Sequence, residues 1–386
     1  MRISWYKYLI GPFLLLLVAS AVPAASTFMV GGISYRITSN ATVSVYHDYN
    51  QNYDTIRVLT IPSTVTNRGV TYTVTSIDPY SFSSMNNLKR VEIASTVTSI
   101  GNAAFFGTNI KEVILPASLT TIGDSLFYAT NLQSIVIPPS VTSIGKESFN
   151  FCRSLITVEI PSSVTSIGKD AFSCCEELTS ITIPSSVTSI KSSTFFRCTN
   201  LKRVILPTSL TSIGAFAFVE CTSLDSLCIP ASVTLIQEGA FFGCTDLKRM
   251  YMCRSSPVPF KPDMFVFEGV DTDNCTLFVP AGSKEYYATA EQWKNFSSIV
   301  EFTPPVIDRP EMNPSTVFYD SYTGTLQFNG SGKRAFVSVY DTKGVVWLNQ
   351  TSMNSDAILV GALPKSIYVV KVSTEAGSFT TKVLVQ

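Results

Sequence analysis

Histidine occurs once in 386 residues, at position 47. A Ser-His-Asp or Cys-His nucleophile would have to be built on that single side chain. Its neighbours Tyr46, Asp48 and Tyr49 read as an exposed loop instead. The cysteines lack the C-x-x-C spacing of a zinc site: Cys174 and Cys175 are adjacent. There is no phosphate-cradling glycine loop and no calcium-loop carboxylate spacing. Glycoside hydrolysis needs two carboxylates about 5–10 Å apart, whereas Glu92 and Glu159 sit on similar repeat positions several units apart. Basic and acidic residues balance at 28 each, so bulk charge draws the chain neither to nucleic acid nor to an anionic membrane. The sequence therefore predicts no enzyme, no cofactor and no nucleic-acid partner.

Long apolar runs are equally scarce. The first lies in residues 1–25, where Arg2 and Lys7 precede the stretch Leu9 to Val18 and then Val22-Pro23-Ala24. That is the layout of a secretory signal peptide, with an apolar core too short to span a bilayer. No cysteine follows for lipid attachment, and no later segment suits a membrane span. The expected mature chain is exported, with no transmembrane segment.

What is present is a period. Cys152, Cys175, Cys198, Cys221 and Cys244 stand 23 residues apart, each three after a phenylalanine (Phe149, Phe172, Phe195, Phe218, Phe241) and three before a leucine. A fixed period of this length marks a stacked-repeat solenoid. Phe82, Phe105 and Phe127 extend the count to eight units, with a period of 22 in the early copies. Apolar content of 45% supplies a continuous core and argues against disorder. Within each unit, Leu-x-x-φ-x-Ile alternates as a short strand should, φ being aliphatic. The proline that follows (Pro116, Pro138, Pro161, Pro184, Pro207, Pro230) cannot donate to a ladder and ends the strand. Val-Thr-Ser-Ile forms a second short strand with its hydroxyls mostly outward. Glycine then allows a turn into the Ala-Phe segment, expected to be one helical or 3₁₀ turn. Such a unit buries too little alone and must stack on neighbours.

The copies VTSIGKDAF and LTSITIPSSVTSI resemble the BspA-like branch of bacterial leucine-rich repeats. The resemblance extends to GGISYRI, Ile56–Val65 and VTYTVTSI as an N-terminal cap, and to LFVPAGSKEYY with Trp293, Phe296 and Ile299 as a C-terminal closure. It implies a mainly β leucine-rich-repeat solenoid: cap 26–73, repeats 74–253 and cap 254–302. A Pro-rich linker, 303–314, follows. In 315–386 the period disappears and several short alternating strands suggest a small β-sandwich. Its segments VSVYDTKGVVW, SIYVVKV and TTKVLVQ resemble the C-terminal sorting domain of the type IX secretion system, although Ser366 stands where that family usually has glycine. This resemblance implies export through that machinery, a surface-attached or secreted protein, and a Bacteroidetes-like source.

Two surfaces invite chemistry. The cysteine column has two readings. Consecutive thiols could pair as disulfides, since stacked Cα atoms would lie about 5 Å apart. The stronger reading is packing, because free cysteine behaves as a small buried apolar residue and five in a row cannot all pair. Asn87, Asn109 and Asn131 are expected near this turn in the irregular units. Cys253 and Cys275 make the leading disulfide candidate. The other surface is the strand face. Between the two inward residues, one points out: Glu92, Ile114, Val136, Glu159, Thr182, Ile205, Cys228 and Tyr251. The preceding position adds Arg90, Glu112, Arg203 and Arg249. An exposed column this apolar marks a partner site, or simply reflects the strand preference for β-branched residues. The sequence reading is a secreted or cell-surface repeat protein that binds a protein or glycan at the cell exterior, in adhesion to host or other cells. The alternative is a structural or assembly component without a dedicated ligand; an exported carbohydrate-active enzyme ranks third. The intact mass of the exported form should lack the first 24 or 25 residues; a protein retaining them would contradict the signal peptide.

Overall fold

The computed structural model describes residues 26–48, 53 and 55–302, and in the C-terminal region 317–320, 325–328, 335–343, 345–352, 357–359, 366–374 and 377–385. The expected signal peptide and Pro-rich linker lie outside these. Residues 58–302 wind into a solenoid of parallel coils. Its strand face runs from Val58–Ile61 and Arg90–Ile93 through the repeats to Arg249–Met252, Thr276–Pro280 and Ser298–Phe302. Neighbouring strands pair in parallel with like on like: Leu59 beside Val91 beside Val113, and Leu227 beside Met250 beside Leu277 beside Ile299.

One coil shows why the sequence folds this way. Strand Thr157–Glu159 buries only its middle residue, Val158. Pro161 then opens a turn closed by the Val164 N–H on the Pro161 carbonyl, 3.0 Å. The short strand Ser166–Ile167 pairs with Ser143–Ile144 one coil back. Its hydroxyl neighbours do more than face water. The Ser163 hydroxyl donates to the Val141 carbonyl at 2.6 Å and that of Thr165 to the Thr142 carbonyl at 3.2 Å, both in the preceding coil. The small polar residues of each unit are stitches between coils. Gly168 serves close approach here: a Cβ on it would lie 2.5 Å from the Lys146 backbone nitrogen.

The Ala-Phe segment departs from the expected helical turn. It keeps i→i+3 bonds at alternate residues, such as Ala171 N–H to the Gly168 carbonyl. The residues between turn their N–H groups onto the next coil: Asp170 to Ser192, Phe172 to Thr194 and Cys174 to Phe196, at 2.7–3.1 Å. This needs left-handed backbone two residues before and two after each phenylalanine. Asp170 and Cys174 have φ 56°, Ser193 54° and Arg197 56°, and other units repeat the pair. Each such non-glycine residue costs about 1–2 kcal/mol, offset by the bonds it makes possible. Sequence periodicity does not reveal this, because none of these positions is reserved for glycine.

Inside the turn runs a column of rings. Phe82, Phe105, Phe127, Phe149, Phe172, Phe195, Phe218, Phe241 and Phe267 are stacked with centroids 5.3–5.9 Å apart. The ninth ring lies beyond the eight expected units, so the C-terminal closure contributes coils of its own. Trp293 covers the last ring edge-on at 4.9 Å, and its indole N–H donates to the Val258 carbonyl at 2.8 Å. At the other end the strands Thr27–Val30, Ile33–Ile37, Thr42–Val45, Thr64–Asn67 and Val70–Ile77 form a sheet that hands on in parallel to Ser99–Ile100. Among the described residues of the C-terminal region there are two antiparallel sheets. One orders Val317–Asp320, Thr325–Phe328 and Ala357–Leu359; the other orders Val346–Ser352, Ala335–Asp341, Ser366–Thr374 and Gly377–Val385. The turn at Asp341 is held by its carboxylate, which accepts the N–H groups of Lys343 and Val345.

Two substitutions test this construction by chemical denaturation. Phe195→Ala, at the centre of the ring column, should cost about 3–5 kcal/mol. Ala129→Gly, at φ 53°, should raise stability by up to about 1 kcal/mol, the reverse of the usual effect of glycine; a loss would contradict the left-handed turn.

Candidate functional site

The outward column runs across four short parallel sheets. Register places Thr60 beside Glu92 beside Ile114, Val136 beside Glu159, Thr182 beside Ile205, and Cys228 beside Tyr251 beside Phe278 beside Val300. All but Val300 lie between two residues more buried than themselves, so their direction follows from strand alternation; Val300 follows buried Ile299 and precedes exposed Glu301. Ile114 is 45% exposed and Val136 61%. Glu159 is exposed, whereas Glu92, Thr182, Ile205, Cys228 and Tyr251 are half-buried by their neighbours.

Charge divides the column. At its N-terminal end Arg90 bridges Glu92 at 2.6 Å and Glu112 at 2.9 Å. The Glu92 hydrogen bond, then the Glu112 charge, hold the Arg90 guanidinium more firmly protonated than usual. Such exposed pairs contribute little stability, and one guanidinium shared by two carboxylates leaves this cluster with one net negative charge. A shallow depression beside them is lined by Thr60, Glu92 and Ile114. Arg249 pairs with Asp225 at 3.2 Å on the neighbouring strand edge. Arg203 lies in the same column one coil before Ser226 and two before Arg249.

The C-terminal end is aromatic. Tyr251 and Phe278 stack at 4.5 Å with planes 12° apart, and Phe302 meets Tyr251 edge-on at 5.9 Å. Val300, 42% exposed, ends the row. Reading the sequence by its cysteine period misses Thr60, Phe278 and Val300. A signal was available for the first two: Leu59-Thr60-Ile61-Pro62 and Leu277-Phe278-Val279-Pro280 share the strand-then-proline pattern of the repeats.

The cysteine column is structural. The sulfurs of Cys152, Cys175, Cys198, Cys221 and Cys244 lie 2.9–3.2 Å from the carbonyl oxygens of Phe127, Phe149, Phe172, Phe195 and Phe218, one coil back. All five side chains are fully buried. Burial pushes the Cys152 thiol up to about 11 and that of Cys244 to about 12, and raises the other three well above the ordinary thiol value. A thiol so firmly protonated is neither nucleophile nor metal ligand. In the early units the same place belongs to buried Thr108 and Thr130, not to the asparagines expected there. Asn109 and Asn131 sit one residue further on and form an exposed ladder, Nδ2 to Oδ1 at 2.8 Å.

None of the nine cysteines, all within the described residues, is in a disulfide. Of the pair named from the sequence, Cys275 is buried just before strand Thr276–Pro280, and the sulfur beside Cys253 is that of Cys228, at 3.4 Å. His47 has a local task. Its Nδ1 donates to the Ser81 carbonyl at 3.1 Å, at the N-terminal end of the column of turns. No helix among the described residues is long and apolar enough to cross a membrane.

Comparison with known proteins agrees with this architecture. The family model described as the BspA type leucine rich repeat region matches in six copies over residues 62–178 and 165–257, slightly more than half of the chain. A leucine-rich repeat protein from Bacteroides ovatus is 25% identical with a TM-score of 0.50, over 71% of this chain and 76% of that one. The T. pallidum leucine rich repeat protein is 28% identical with a TM-score of 0.45, over 52% and 91%. A leucine rich cell surface protein from Faecalibacterium prausnitzii is 22% identical with a TM-score of 0.34, over 71% and 99%. Among curated proteins none matches.

The thiol column yields a prediction with a definite sign. Folding raises these pKa values above the ordinary value of 9.0, so their contribution is complete below pH 9 and is lost as pH rises through the folded values near 11–12. Denaturant midpoints should therefore fall steeply above pH 9. Cys198→Thr should weaken that slope at little cost near neutrality, since threonine fills the place elsewhere, whereas Cys198→Ala should cost about 1–3 kcal/mol. An unchanged alkaline slope in the threonine variant would contradict this.

Proposed function

The chain belongs to the BspA type leucine rich repeat family, and from that premise we propose that it is a secreted or surface-displayed binding protein. Its partner is a protein or a glycan outside the cell, engaged in adhesion to host or other cells. The observation that carries the reading is the outward column: a row of side chains, one per coil, that runs from the ion-paired Arg90–Glu92–Glu112 cluster to the Tyr251–Phe278 stack. Stacked rings with a half-exposed face and polar neighbours suit both the apolar face of a sugar ring and an aromatic anchor of a protein interface. Ile114, Val136, Glu159, Thr182, Arg203, Ile205 and Arg249 complete the proposed contact surface, with the exposed apolar members supporting a partner site.

Residues 315–386 are proposed to direct export through the type IX machinery, as their sorting-domain-like segments suggest, and the source to be Bacteroidetes-like. The two antiparallel sheets in that region support a separate module. Whole-face substitution separates binding from a purely structural role. Binding of the purified protein to arrays of host matrix proteins and glycans should fall at least tenfold in Tyr251→Ala and Phe278→Ala, and less in Arg203→Ala, Ile205→Ala and Arg249→Ala, with circular dichroism unchanged. Unaltered binding in every variant, or no captured ligand, would leave the structural alternative standing and reject this one.

A further inference from the structure

Two cysteines stand apart from the buried column. Cys228 lies in strand Ser226–Ile229, where Leu227 and Ile229 turn inward and Cys228 therefore turns outward. Cys253 directly follows strand Arg249–Met252 on the next coil, two residues after the outward Tyr251 and in phase with it. Its backbone N–H donates to the Ile229 carbonyl at 3.0 Å, which keeps the two coils side by side to that point. Both side chains are half-buried, and their sulfurs are 3.4 Å apart. Closing that gap to the bond length of about 2.05 Å needs about 1.4 Å of movement; because the two residues are diagonal neighbours across the ladder, the backbone beyond Met252 must supply part of it. The column thiols offer no competition, because each is enclosed and bonded to a phenylalanine carbonyl.

We propose that Cys228 and Cys253 are an oxidation site, forming a disulfide that clips the last regular coil to the coil after it on the strand face. The oxidant is a disulfide, either a small-molecule one or that of a thiol oxidoreductase. The thiolate of one cysteine attacks it, forming a mixed disulfide and releasing one thiol. The second cysteine's thiolate then attacks the sulfur of the first and releases the other thiol. Two protons and two electrons leave the cysteines, and the oxidant's sulfur–sulfur bond is reduced. The clip closes a short loop of one coil, so its effect on the unfolded chain is moderate. The inference is independent of whether the strand face binds a partner.

The test incubates the purified full chain with oxidised glutathione, quenches with acid, alkylates under denaturing conditions and maps the peptides by mass. The expected result is one intramolecular link, Cys228 to Cys253, with the other cysteines alkylated as thiols. The unfolding midpoint should rise by a few degrees and return on reduction with dithiothreitol. Cys228→Ser and Cys253→Ser should each abolish the rise and leave one glutathione on the remaining cysteine. Separate glutathione adducts on both cysteines of the wild-type chain would overturn the proposal, as would no modification of either or a link from Cys253 to Cys275.

Discussion

Everything in the solenoid depends on coil-to-coil registry at the phenylalanine turn. Nine rings stack at 5.3–5.9 Å, a spacing set by the parallel ladders on either side. Those ladders hold because alternate N–H groups of each turn reach the next coil, which in turn demands left-handed backbone at two places per unit. A coil taken alone would carry that strain without return. Stacked, it gains a ring contact, turn bonds and serine and threonine stitches at once. The nearest-neighbour logic of repeat proteins is thus visible in single atoms.

Registry also explains the division of labour across each unit. Residues on the inner columns repeat because each must fit a copy of itself: phenylalanine on phenylalanine, isoleucine on isoleucine, thiol beneath carbonyl. Outward residues meet no such demand, and there the sequence varies from glutamate to isoleucine to tyrosine along one column. That freedom is what a recognition surface needs. The ends differ for a related reason. Trp293 and the N-terminal sheet each terminate a column that would otherwise expose a ring and a row of unpaired backbone groups.

The sequence discloses the solenoid, the strands and the proline turns, because these follow period and alternation. That the C-terminal segment holds short alternating strands was legible the same way. The left-handed turn was not, since aspartate, serine, arginine and cysteine all occupy it and only long-range bonds justify the strain. Nor was the contact of Cys228 with Cys253. It joins coils 25 residues apart, whereas a period of 23 pairs each residue with its equivalent; diagonal neighbours escape that reading. Phe278 shows a further limit. Its LFVP segment matches the repeat pattern, but the cysteine ruler had already ended at Cys244. The outward direction of Glu92, Ile114 or Tyr251 was readable from alternation, while the pairing of Arg90 with both Glu92 and Glu112 required coordinates.

If registry is the governing constraint, one whole period is removable and a fraction of one is not. The direct measurement is thermal and denaturant unfolding of two deletion variants. One lacks residues 176–198, a single period of 23; the other lacks about 20 residues from the same segment, short of the period. The account predicts that the first folds with a sharp cooperative transition and native far-ultraviolet circular dichroism, and that the second loses both. Equal folding of the two, or collapse of the one-period deletion, would contradict it.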